Sequence, residues 1–291
     1  MKCSIKVPAS TSNLGSGFDT LGLAVKLHTT VELERNENDA VLLESSMAAH
    51  RELAKLVSEA ADHFFQAAQT GGFGARVRLA GNVPIARGLG YSATVRVGVL
   101  AALNELAGSR LTRNQLLDFA TQLEKHPDNA SPSVFGGFTV SGLVNGQVRC
   151  LPFSVGAQLQ VVTLVPTFPI STEEARKLMP HSYSKADAAH ALNRAALITA
   201  AFSSGNFEAL KDVFDDRIHQ PYRQRLIPAL EPVIAAGEAA GALGGFLSGS
   251  GSAIICLTLE NPERVGQAMQ RALPDSELMI LTVDNSGYSL L

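Results

Sequence analysis

Cysteine is scarce in this chain, and its spacing excludes two kinds of covalent staple. Cys3, Cys150 and Cys256 are odd in number and lie far apart. Disulfide frameworks use paired cysteines and zinc sites use closely spaced ones, so this pattern supports neither. We therefore expect reduced thiols and a cytoplasmic location.

Long apolar runs and an excess of basic residues are also missing. No stretch approaches the ~20 apolar residues that cross a bilayer, and residues 1–6 lack the apolar core of a secretion signal. The 24 basic and 27 acidic residues give a net charge of −3, with no basic run. We expect neither a membrane nor a nucleic acid among the partners.

What is present is enough for two folded domains. Hydrophobic residues make up 46% of the 291 residues and charged residues 18%, which leaves ample material for a buried interior. The hydrophobic pattern restarts around residues 153–158. We therefore predict one domain over residues 1–155 and a second over residues 156–291, without an internal repeat.

Hydrophobic periodicity predicts the elements of the first half. Residues 51–70 have helical spacing, with Gly71-Gly72 as the stop signal, and Thr112 with Gln115 forms a capping box. The other predicted elements are strands at 5–7 and 21–34 around a polar loop at 9–19, a strand at 75–79, a loop at 82–90, helices at 92–107 and from 112 to before Pro127, and a strand at 135–140.

The second half is predicted to be an α+β sandwich. The predicted order is a strand at 160–165, helices near 172–179, 185–204, 206–217 and 228–240, two strands around a glycine loop at 241–259, a helix begun by Asn261-Pro262, and a strand at 278–283. Strand, helices, two strands, helix and strand are compatible with an antiparallel sheet covered by helices.

The loop at 84–94, PIARGLGYSAT, is the most informative segment. Gly88 and Gly90 come directly before a helix predicted to begin near Ser92. Glycine lets a backbone approach a ligand closely, and a helix start offers unpaired N–H groups and a positive dipole end. Phosphate is the ligand that this arrangement favours. The ordinary alternative is a tight turn with Ser92 as the helix N-cap.

Two other phosphate motifs do not apply to this loop. The chain contains no G-x-x-x-x-G-K-[ST] string. Gly88, Gly90 and Ala93 fit the pattern G-x-G-x-x-A, but Pro84 separates them from the preceding strand. The helix that follows leads to another helix, whereas a dinucleotide fold requires a strand there.

Two further glycine loops accompany this one, PASTSNLGSGFD at 8–19 and LSGSGS at 247–252. Each taken alone is compatible with a hairpin turn. Together with PIARGLGYSA at 84–93, and in this order, they resemble the three motifs of the GHMP family of small-molecule kinases. The resemblance implies an N-terminal domain like ribosomal protein S5, a ferredoxin-like C-terminal domain, and ATP, magnesium and acceptor in the cleft between them.

Additional stretches resemble the branch of this family that phosphorylates homoserine. They are NLGSGFDTLG at 13–22, EKHPDN at 124–129, FGG at 135–137, ISTEEAR at 170–176 and DRIHQPYR at 216–223. The implied reaction converts L-homoserine into O-phospho-L-homoserine in threonine biosynthesis. Two alternatives stay open: a kinase of the same family acting on another small alcohol, and a catalytically weak ligand-binding homologue. A homodimer is plausible for the family.

Two positions depart from the family pattern. Tyr91 stands where the first of two serines is expected, and Ser252 stands where proline is more common. A phenol beside the triphosphate could crowd it, stack on it or hydrogen-bond to it. Tyr91 is therefore the feature that favours the catalytically weak alternative.

The resemblance also implies which residues bind ATP and magnesium. The expected ATP-binding residues are Pro84, Ile85, Ala86, Arg87, Gly88, Leu89, Gly90, Tyr91, Ser92, Ala93 and Thr94, with Gly249 and Gly251 covering the loop. Magnesium takes oxygen ligands and few of them from protein, and by resemblance these are Ser92 and Glu124. The alternative for Glu124 is an exposed charge at a helix end.

The acceptor would be a zwitterion, which needs carboxylates for its ammonium group and guanidinium groups for its carboxylate. Arg176 and Arg223 suit the second task, and Asp19 and Asp128 the first, with Asn13, His126 and Thr172 completing the polar wall. For Arg217 and His219, a surface ion pair or a helix-capping role is at least as good an interpretation as contact with the substrate.

Asn129 stands where related kinases place a catalytic aspartate. Because an amide is a poor proton acceptor, Asn129 is expected to orient the hydroxyl, and the reaction to proceed by alignment without a strong protein base. The catalytic set expected from the resemblance is therefore Ser92, Glu124, Asn129 and Arg223.

Overall fold

The computed structural model of the protein describes residues 1–37, 39–44 and 51–291. The backbone forms a seven-stranded and a four-stranded β-sheet. Helices pack against both sheets, so the predicted α+β class is confirmed. Within these ranges, no helix combines the length and the apolar character of a membrane span.

The first sheet holds the strands of the first half of the chain and the last strand. They are β1 (Lys2–Ser12), β2 (Leu21–Arg35), β3 (Val41–Leu43), β4 (Ala75–Gly81), β5 (Phe138–Val144), β6 (Gln147–Phe153) and β11 (Ser289–Leu290). The order is β11-β1-β2-β4-β3, and β5 pairs with both β2 and β6. The helices are α1 (Arg51–Ala68), α2 (Tyr91–Leu106), α3 (Arg113–Glu124) and α4 (Ala130–Phe135). Helix α2 packs on β1 and β2 between α1 and α3.

The second sheet has the ferredoxin-like arrangement. Its strands are β7 (Gln160–Pro166), β8 (Gly244–Leu247), β9 (Ile254–Thr258) and β10 (Ser276–Thr282), in the antiparallel order β10-β7-β9-β8. The helices are α5 (Thr172–Lys177), α6 (Lys185–Ser204), α7 (Gln220–Arg223), α8 (Leu230–Ala239) and α9 (Pro262–Ala272). Helices α5 to α8 lie between β7 and β8 along the chain, and α9 lies between β9 and β10. The predicted antiparallel sandwich is therefore confirmed.

A shared apolar core joins the two sheets. Leu23 of β2 and Phe138 of β5 lie in it together with Phe202 of α6 and Phe246 of β8, all of them fully buried. The rings of Phe138 and Phe202 stack with their centroids 4.1 Å apart. Close-packed interiors resist deformation, so this core fixes the walls of the cleft between the two sheets.

Strand β1 extends into the segment predicted to be a polar loop. The predicted loop began at residue 9, but the strand continues to Ser12, which pairs with Gly22 across a register shift at Pro8 and Ala9. Ser10 and Thr11 are fully buried. Pairing with β2 satisfies the backbone here and outweighs the polar composition of the segment.

The predicted helix at 206–217 is wrong. Only a 3₁₀ turn forms, at Phe207–Leu210, and Asp212 then has a positive φ of 60°. The following segment lies against the loop after β1, where Ser16 Oγ donates to the Asp215 carbonyl at 3.0 Å. Tertiary hydrogen bonds therefore replace the helical ones in this segment.

Several short elements were not predicted, namely β3, α4, β6, α7 and β11. The last of these returns the chain to the first sheet, where Leu290 pairs with Ile5 of β1. The strands divide between the sheets in the interval between β6 and β7, apart from β11. The predicted domain boundary after residue 155 itself stays a prediction.

The predicted helix ends differ in their outcome. The capping box of Thr112 and Gln115 is confirmed at the start of α3. After α1 the left-handed residue is Gln69, with a φ of 52°, and not one of the two glycines. Asn261 precedes α9 in a left-handed conformation without a side-chain cap, whereas Pro262 begins the helix as predicted.

Candidate active site

A cleft of about 790 Å³ contains most of the predicted site residues. Its lining includes Asn13, Asp19, Ile85, Ala86, Arg87, Gly88, Gly90, Tyr91, Ser92, Glu124, His126, Asp128, Asn129, Thr172, Arg176, Arg223 and Gly249. The predicted residues that do not line it are Pro84, Leu89, Ala93, Thr94 and Gly251. Of these, Leu89, Ala93 and Thr94 are fully buried, and Thr94 Oγ1 donates inward, to the Tyr91 carbonyl at 2.7 Å.

The two glycines of the central loop are required by packing inside the protein. Gly88 and Gly90 have φ values of +76° and +68°. A β-carbon on Gly88 would lie 2.0 Å from the Ser248 carbonyl oxygen, and one on Gly90 would lie 2.3 Å from Ser10 Oγ. The sequence indicated glycine for close approach to a ligand, but here each glycine also permits close approach of another loop.

The late glycine loop docks on the central loop through hydrogen bonds. Ser248 Oγ donates to the Gly88 carbonyl at 2.7 Å. The backbone N–H of Ala253 donates to the Arg87 carbonyl at 3.0 Å, and that of Gly249 to the Ser12 carbonyl at 3.2 Å. The loop therefore covers the central loop as expected.

Helix α2 opens directly onto the cleft with unpaired amides. Its first hydrogen bond of helical spacing runs from Thr94 N to the Gly90 carbonyl at 3.0 Å, so the amides of residues 91–93 have no partner within the helix. The N-cap is Gly90, which makes no side-chain cap. The alternative with Ser92 as N-cap is wrong. Amides at a helix start are a site for an anion.

Ser92 and Glu124 meet at this helix start. Ser92 Oγ donates to Glu124 Oε2 at 3.0 Å. The Glu124 side chain is only 9% exposed, so the alternative of a solvent-exposed charge is wrong. A hydroxyl and a carboxylate at this spacing, next to unpaired amides, are donors that fit Mg²⁺.

An arginine that sequence reasoning missed grips the same carboxylate. Arg96 donates from Nη1 to Glu124 Oε1 at 2.7 Å and from Nη2 to Glu59 Oε2 at 3.1 Å. Its position, four residues after Ser92 on one helix, places both side chains on one face. That spacing was a signal for Arg96. Glu59 lies on another helix, and no local pattern indicated it.

Arg87, predicted to bind ATP, has its side chain committed to the backbone. Its Nε donates to the Pro166 carbonyl at 2.9 Å and Nη1 to the Ile85 carbonyl at 3.0 Å. These contacts tie the central loop to β7 of the second sheet. Arg87 thus stabilises the loop in this structure.

On the opposite wall, Asp19 and Arg176 form a two-pronged ion pair. Arg176 donates to the two carboxylate oxygens at 2.6 and 3.2 Å, and each side chain is about one-third exposed. Asp19 has a positive φ of 53°, and its backbone N–H donates to Asn13 Oδ1 at 3.0 Å. Asn13 Nδ2 in turn donates to the Gly249 carbonyl at 3.1 Å. Asn13 therefore links the wall that carries Asp19 to the late loop.

Asp128 and His126 form a second charged pair behind the first. Asp128 is buried, and its Oδ1 lies 3.3 Å from His126 Nδ1. Burial alone would raise the pKa of the Asp128 carboxyl, but His126, the Ser12 hydroxyl and Arg176 hold that pKa below its ordinary value. Burial opposes the charged imidazole, but Asp128 outweighs it and raises the pKa of His126. Ligand atoms of Asp19, His126 and Asp128 lie within 4.8 Å of one another, which suits a cationic group.

The Asn129 amide is held by two serines of β1. Ser10 Oγ donates to Asn129 Oδ1 at 3.0 Å, and Asn129 Nδ2 donates to Ser12 Oγ at 3.0 Å. The Asn129 backbone N–H donates to Asp128 Oδ1 at 3.0 Å. One N–H and one lone pair of the amide remain for a ligand. The two serines that fix it were not predicted to take part.

Arg223 is a buried cation at the floor of the cleft. It is 2% exposed, and its Nη1 donates to the Gly249 carbonyl at 2.9 Å. Burial, and then the charge of Arg176, lower its pKa to about 10, against the opposing effect of nearby carboxylates. The guanidinium carbons of Arg176 and Arg223 each lie 5.3 Å from the Phe18 ring centroid. The Phe18 ring therefore contacts both cations.

His219 and its neighbours support Arg223. His219 is fully buried, and its Nε2 donates to the Gly15 carbonyl at 2.9 Å, so Nδ1 accepts from Arg223 Nη1 at 3.4 Å. The surface role considered for His219 is therefore wrong. The Asp216 carboxylate accepts the backbone N–H groups of Ile218, His219 and Gln220 and caps α7. Arg217 forms the predicted surface ion pair, 3.6 Å from Asp187.

Thr172 stands at the rim of the same wall. It is the first residue of α5, and its hydroxyl oxygen lies 3.3 Å from Ser250 Oγ of the late loop. Ser171 caps that helix by accepting from the Glu174 N–H. Thr172 is therefore placed where α5, which carries Arg176, meets the late loop.

The sequence matches the two domain profiles of one kinase family. The GHMP kinases N-terminal domain matches residues 55–137, and the GHMP kinases C-terminal domain matches residues 191–275. The chain is 37% identical to a homoserine kinase of Caldicellulosiruptor bescii over 99% of this chain and 96% of that protein. It is 34% identical to a homoserine kinase of Desulfitobacterium hafniense over 99% of both chains.

A solved structure agrees with these matches. The crystal structure of homoserine kinase from Cytophaga hutchinsonii superposes with a TM-score of 0.90 and 26% identity, covering 100% of this chain and 97% of that one. The fold and the cleft thus define a two-part small-molecule kinase. The chain belongs to the GHMP kinase family, and the fold class expected from the three motifs is confirmed.

Proposed function

We propose that the protein transfers the γ-phosphoryl group of ATP to the side-chain hydroxyl of L-homoserine, giving O-phospho-L-homoserine. The observation that carries this proposal is the arrangement of charge in one cleft. Unpaired amides of α2 lie on one wall, and paired carboxylates and guanidinium groups lie on the other. The first suits a triphosphate and the second a free amino acid. The relatives named homoserine kinase support the same acceptor.

ATP would bind along residues 84–94, with the amides of residues 91–93 facing its phosphates. Ser92 and Glu124 would hold magnesium, which supplies charge neutralisation on the phosphoryl oxygens when bound. Gly249, in the covering loop, would close this half of the site. Phosphoryl transfer depends mainly on such positioning and charge neutralisation.

The amino acid would replace an ion pair that the protein makes with itself. Without the substrate, Asp19 and Arg176 satisfy each other. The substrate ammonium offers Asp19 a new partner, and the substrate carboxylate offers one to Arg176. Arg223 would share the carboxylate, and His126, Asp128, Asn13 and Thr172 would complete the wall. A ligand with only one charge would leave one member of the pair alone, which is costly at a half-buried position.

Asn129 would orient the attacking hydroxyl through its remaining N–H or lone pair. Asp128 is adjacent, but its lowered pKa makes it a weak base. The mechanism therefore relies on alignment, with the proton lost to phosphate or solvent. This is the role that we propose for Asn129.

The alternatives named from the sequence differ in their support. Tyr91, which favoured a weakly catalytic homologue, packs its half-buried ring on the apolar cores. Burial raises the pKa of its hydroxyl, so the phenol stays neutral beside a triphosphate. A kinase for another small alcohol is disfavoured by the charged acceptor wall. The magnesium ion, a cytoplasmic location and a homodimer remain proposals.

ADP release coupled to NADH oxidation tests the proposed function. The assay uses ATP and Mg²⁺ with homoserine, mevalonate, galactose or no acceptor. We expect turnover with homoserine to exceed the no-acceptor rate by at least about 10²-fold. Preference for mevalonate or galactose would replace the proposed acceptor, and no turnover above background would favour the weak homologue.

A further inference from the structure

We propose that Arg96 is a positioning residue that sets the metal affinity of the Ser92 and Glu124 pair, and that Glu59 offsets its charge. The inference rests on the proposed function, because it takes Ser92 and Glu124 as the magnesium ligands. It concerns two residues that neither the three motifs nor the expected site includes.

Arg96 links three helices at the edge of the cleft. It projects from α2, reaches Glu124 at the end of α3 at 2.7 Å and Glu59 on α1 at 3.1 Å. Its side chain is 12% exposed and lines the cleft together with both carboxylates. An ordinary ion pair between helices would account for the contacts. It would not require one carboxylate to face both an arginine and a metal-ligating serine.

The two oxygens of Glu124 are divided between two partners. Oε1 accepts from Arg96, whereas Oε2 accepts from the Ser92 hydroxyl. A carboxylate fixed in this way presents one oxygen to a metal at the serine. Groups outside the ligand set commonly orient metal-binding carboxylates by such hydrogen bonds. Arg96 thus selects the oxygen that is offered.

Arg96, Glu59 and Glu124 together carry a net charge of −1. Lys55 lies 3.6 Å from Glu59 but is 74% exposed, so solvent and salt screen its charge. Replacing Arg96 by a neutral residue leaves two carboxylates and a charge of −2. Replacing Glu59 by glutamine leaves a charge of 0. Metal affinity should therefore move in opposite directions in the two variants.

Calorimetric binding of AMP-PNP, a non-hydrolysable ATP analogue, tests this. The affinity for AMP-PNP is measured once with Mn²⁺ and once with chelator. The ratio of the first affinity to the second isolates the contribution of the metal from any direct effect on the phosphates. In Arg96→Met we expect this ratio to rise about three- to tenfold, and in Glu59→Gln to fall by a similar factor. In the double variant it should return to within about twofold of the unmodified protein.

A charge-preserving variant separates charge from positioning. Arg96→Lys should keep the ratio within about twofold but lower kcat by roughly tenfold, because one ammonium cannot hold both carboxylates in a planar fork. Arg78→Met, on the exposed face of β4, is the matched control and should leave both the affinity ratio and kcat unchanged. Urea unfolding identifies any variant that fails to fold, and Arg96→Lys then carries the test.

The outcomes separate the two levels of the account. If Arg96→Met and Glu59→Gln move the ratio in the same direction, or leave it unchanged, the role of Arg96 is overturned. If Glu124→Gln leaves the ratio of the unmodified protein intact, the metal is not held at Glu124. The proposed function then fails at its metal site, whatever Arg96 does.

Discussion

The two parts of the cleft proposed to bind ATP and homoserine, the phosphate half and the acceptor half, are built in different ways. The phosphate half is a short continuous segment, residues 84–94, that offers mainly backbone amides and is completed by Glu124. The acceptor half takes its carboxylates from the first part of the chain and its two arginines, Arg176 and Arg223, from the second. A backbone site depends on glycine spacing and a helix start, whereas a side-chain site depends on the whole fold.

The difference extends to how the two halves are supported without ligand. In the phosphate half, Gly88 and Gly90 seat the loop against Ser248 and Ser10, and the amides of α2 are left for a ligand. In the acceptor half, the charged groups pair with one another, as Asp19 and Arg176 do. We therefore propose that the first half is preorganised and that the second exchanges partners when substrate binds.

The largest effect is expected from removing the Glu124 carboxylate of the phosphate half. Glu124→Gln should lower kcat by roughly 10³-fold, because the neutral amide is a poor magnesium ligand and forms no ion pair with Arg96. Homoserine affinity, measured by calorimetry with AMP-PNP and chelator, should change by less than about threefold. A comparable loss of homoserine binding would break the separation between the halves.

In the acceptor half, the buried arginine should matter more than the exposed one. Arg223→Lys should raise the homoserine KM by about 10²-fold and Arg176→Lys by about tenfold, because lysine loses the planar fork and Arg223 has no solvent to replace it. Steady-state kinetics at saturating ATP measures both. Equal effects would show that burial does not distinguish the two cations.

Asn129 lies where the halves meet, and its removal should affect turnover alone. Asn129→Ala should lower kcat about 30-fold with the KM for both substrates within about threefold, because the amide aligns the hydroxyl and binds little else. Asn129→Asp, which keeps the size of the side chain, is the matched control. An unchanged kcat in Asn129→Ala would remove its proposed role.

The ion pair of His126 and Asp128, in the acceptor half, should make the free energy of unfolding depend on pH. The pKa of His126 is raised in the folded protein. Its contribution to the free energy of unfolding is therefore complete below pH 6.5, and it is lost as the pH rises through the raised pKa. The pKa of Asp128 is lowered, so its contribution is present above 3.8 and is lost only in stronger acid. His126→Gln should therefore cost roughly 1 kcal/mol between about pH 4 and 6.5 and less above that window.

Urea unfolding of the unmodified protein and of His126→Gln, repeated across this pH range, measures the difference in the free energy of unfolding. His181→Gln, at an exposed histidine, is the control for loss of an unpaired imidazole. A cost that grows with rising pH would have the wrong sign and would exclude the ion pair as its source.

The smallest effect is expected at Tyr91. Tyr91→Ser restores the serine that the family pattern carries, and we expect kcat and the KM for ATP to change by less than about threefold, because the ring packs on the cores. Tyr91→Phe controls for the hydroxyl. A gain of about tenfold or more in Tyr91→Ser would show that the phenol crowds the triphosphate.

The sequence was a good guide wherever the determinant is local. Helix α3 with its capping box, the glycine loop before α2 and the succession of strands in the second half follow from spacing along the chain. Residues with a partner far away in sequence were harder to interpret. The polar composition of residues 9–19 predicts a loop, whereas Ser10 and Ser12 pair with β2 and contact Asn129.

The same limit explains the residues that were missed. The segment after Leu210 has a helical composition, but its carbonyl and carboxylate groups bind the loop after β1. The role that we propose for Glu59 depends on Arg96 reaching both α1 and α3. Such roles depend on contacts between elements, which residue spacing does not encode.

Hydrogen exchange with each ligand added separately tests the central claim, that two different walls of one cleft bind the two substrates. With Mg²⁺ and AMP-PNP alone, we predict slower exchange of the amides of residues 88–93 and little change in residues 172–176. With homoserine alone, we predict slower exchange in residues 13–19 and 172–176, and little in 88–93. Protection of the acceptor wall by the nucleotide, with residues 88–93 unaffected, would contradict the account.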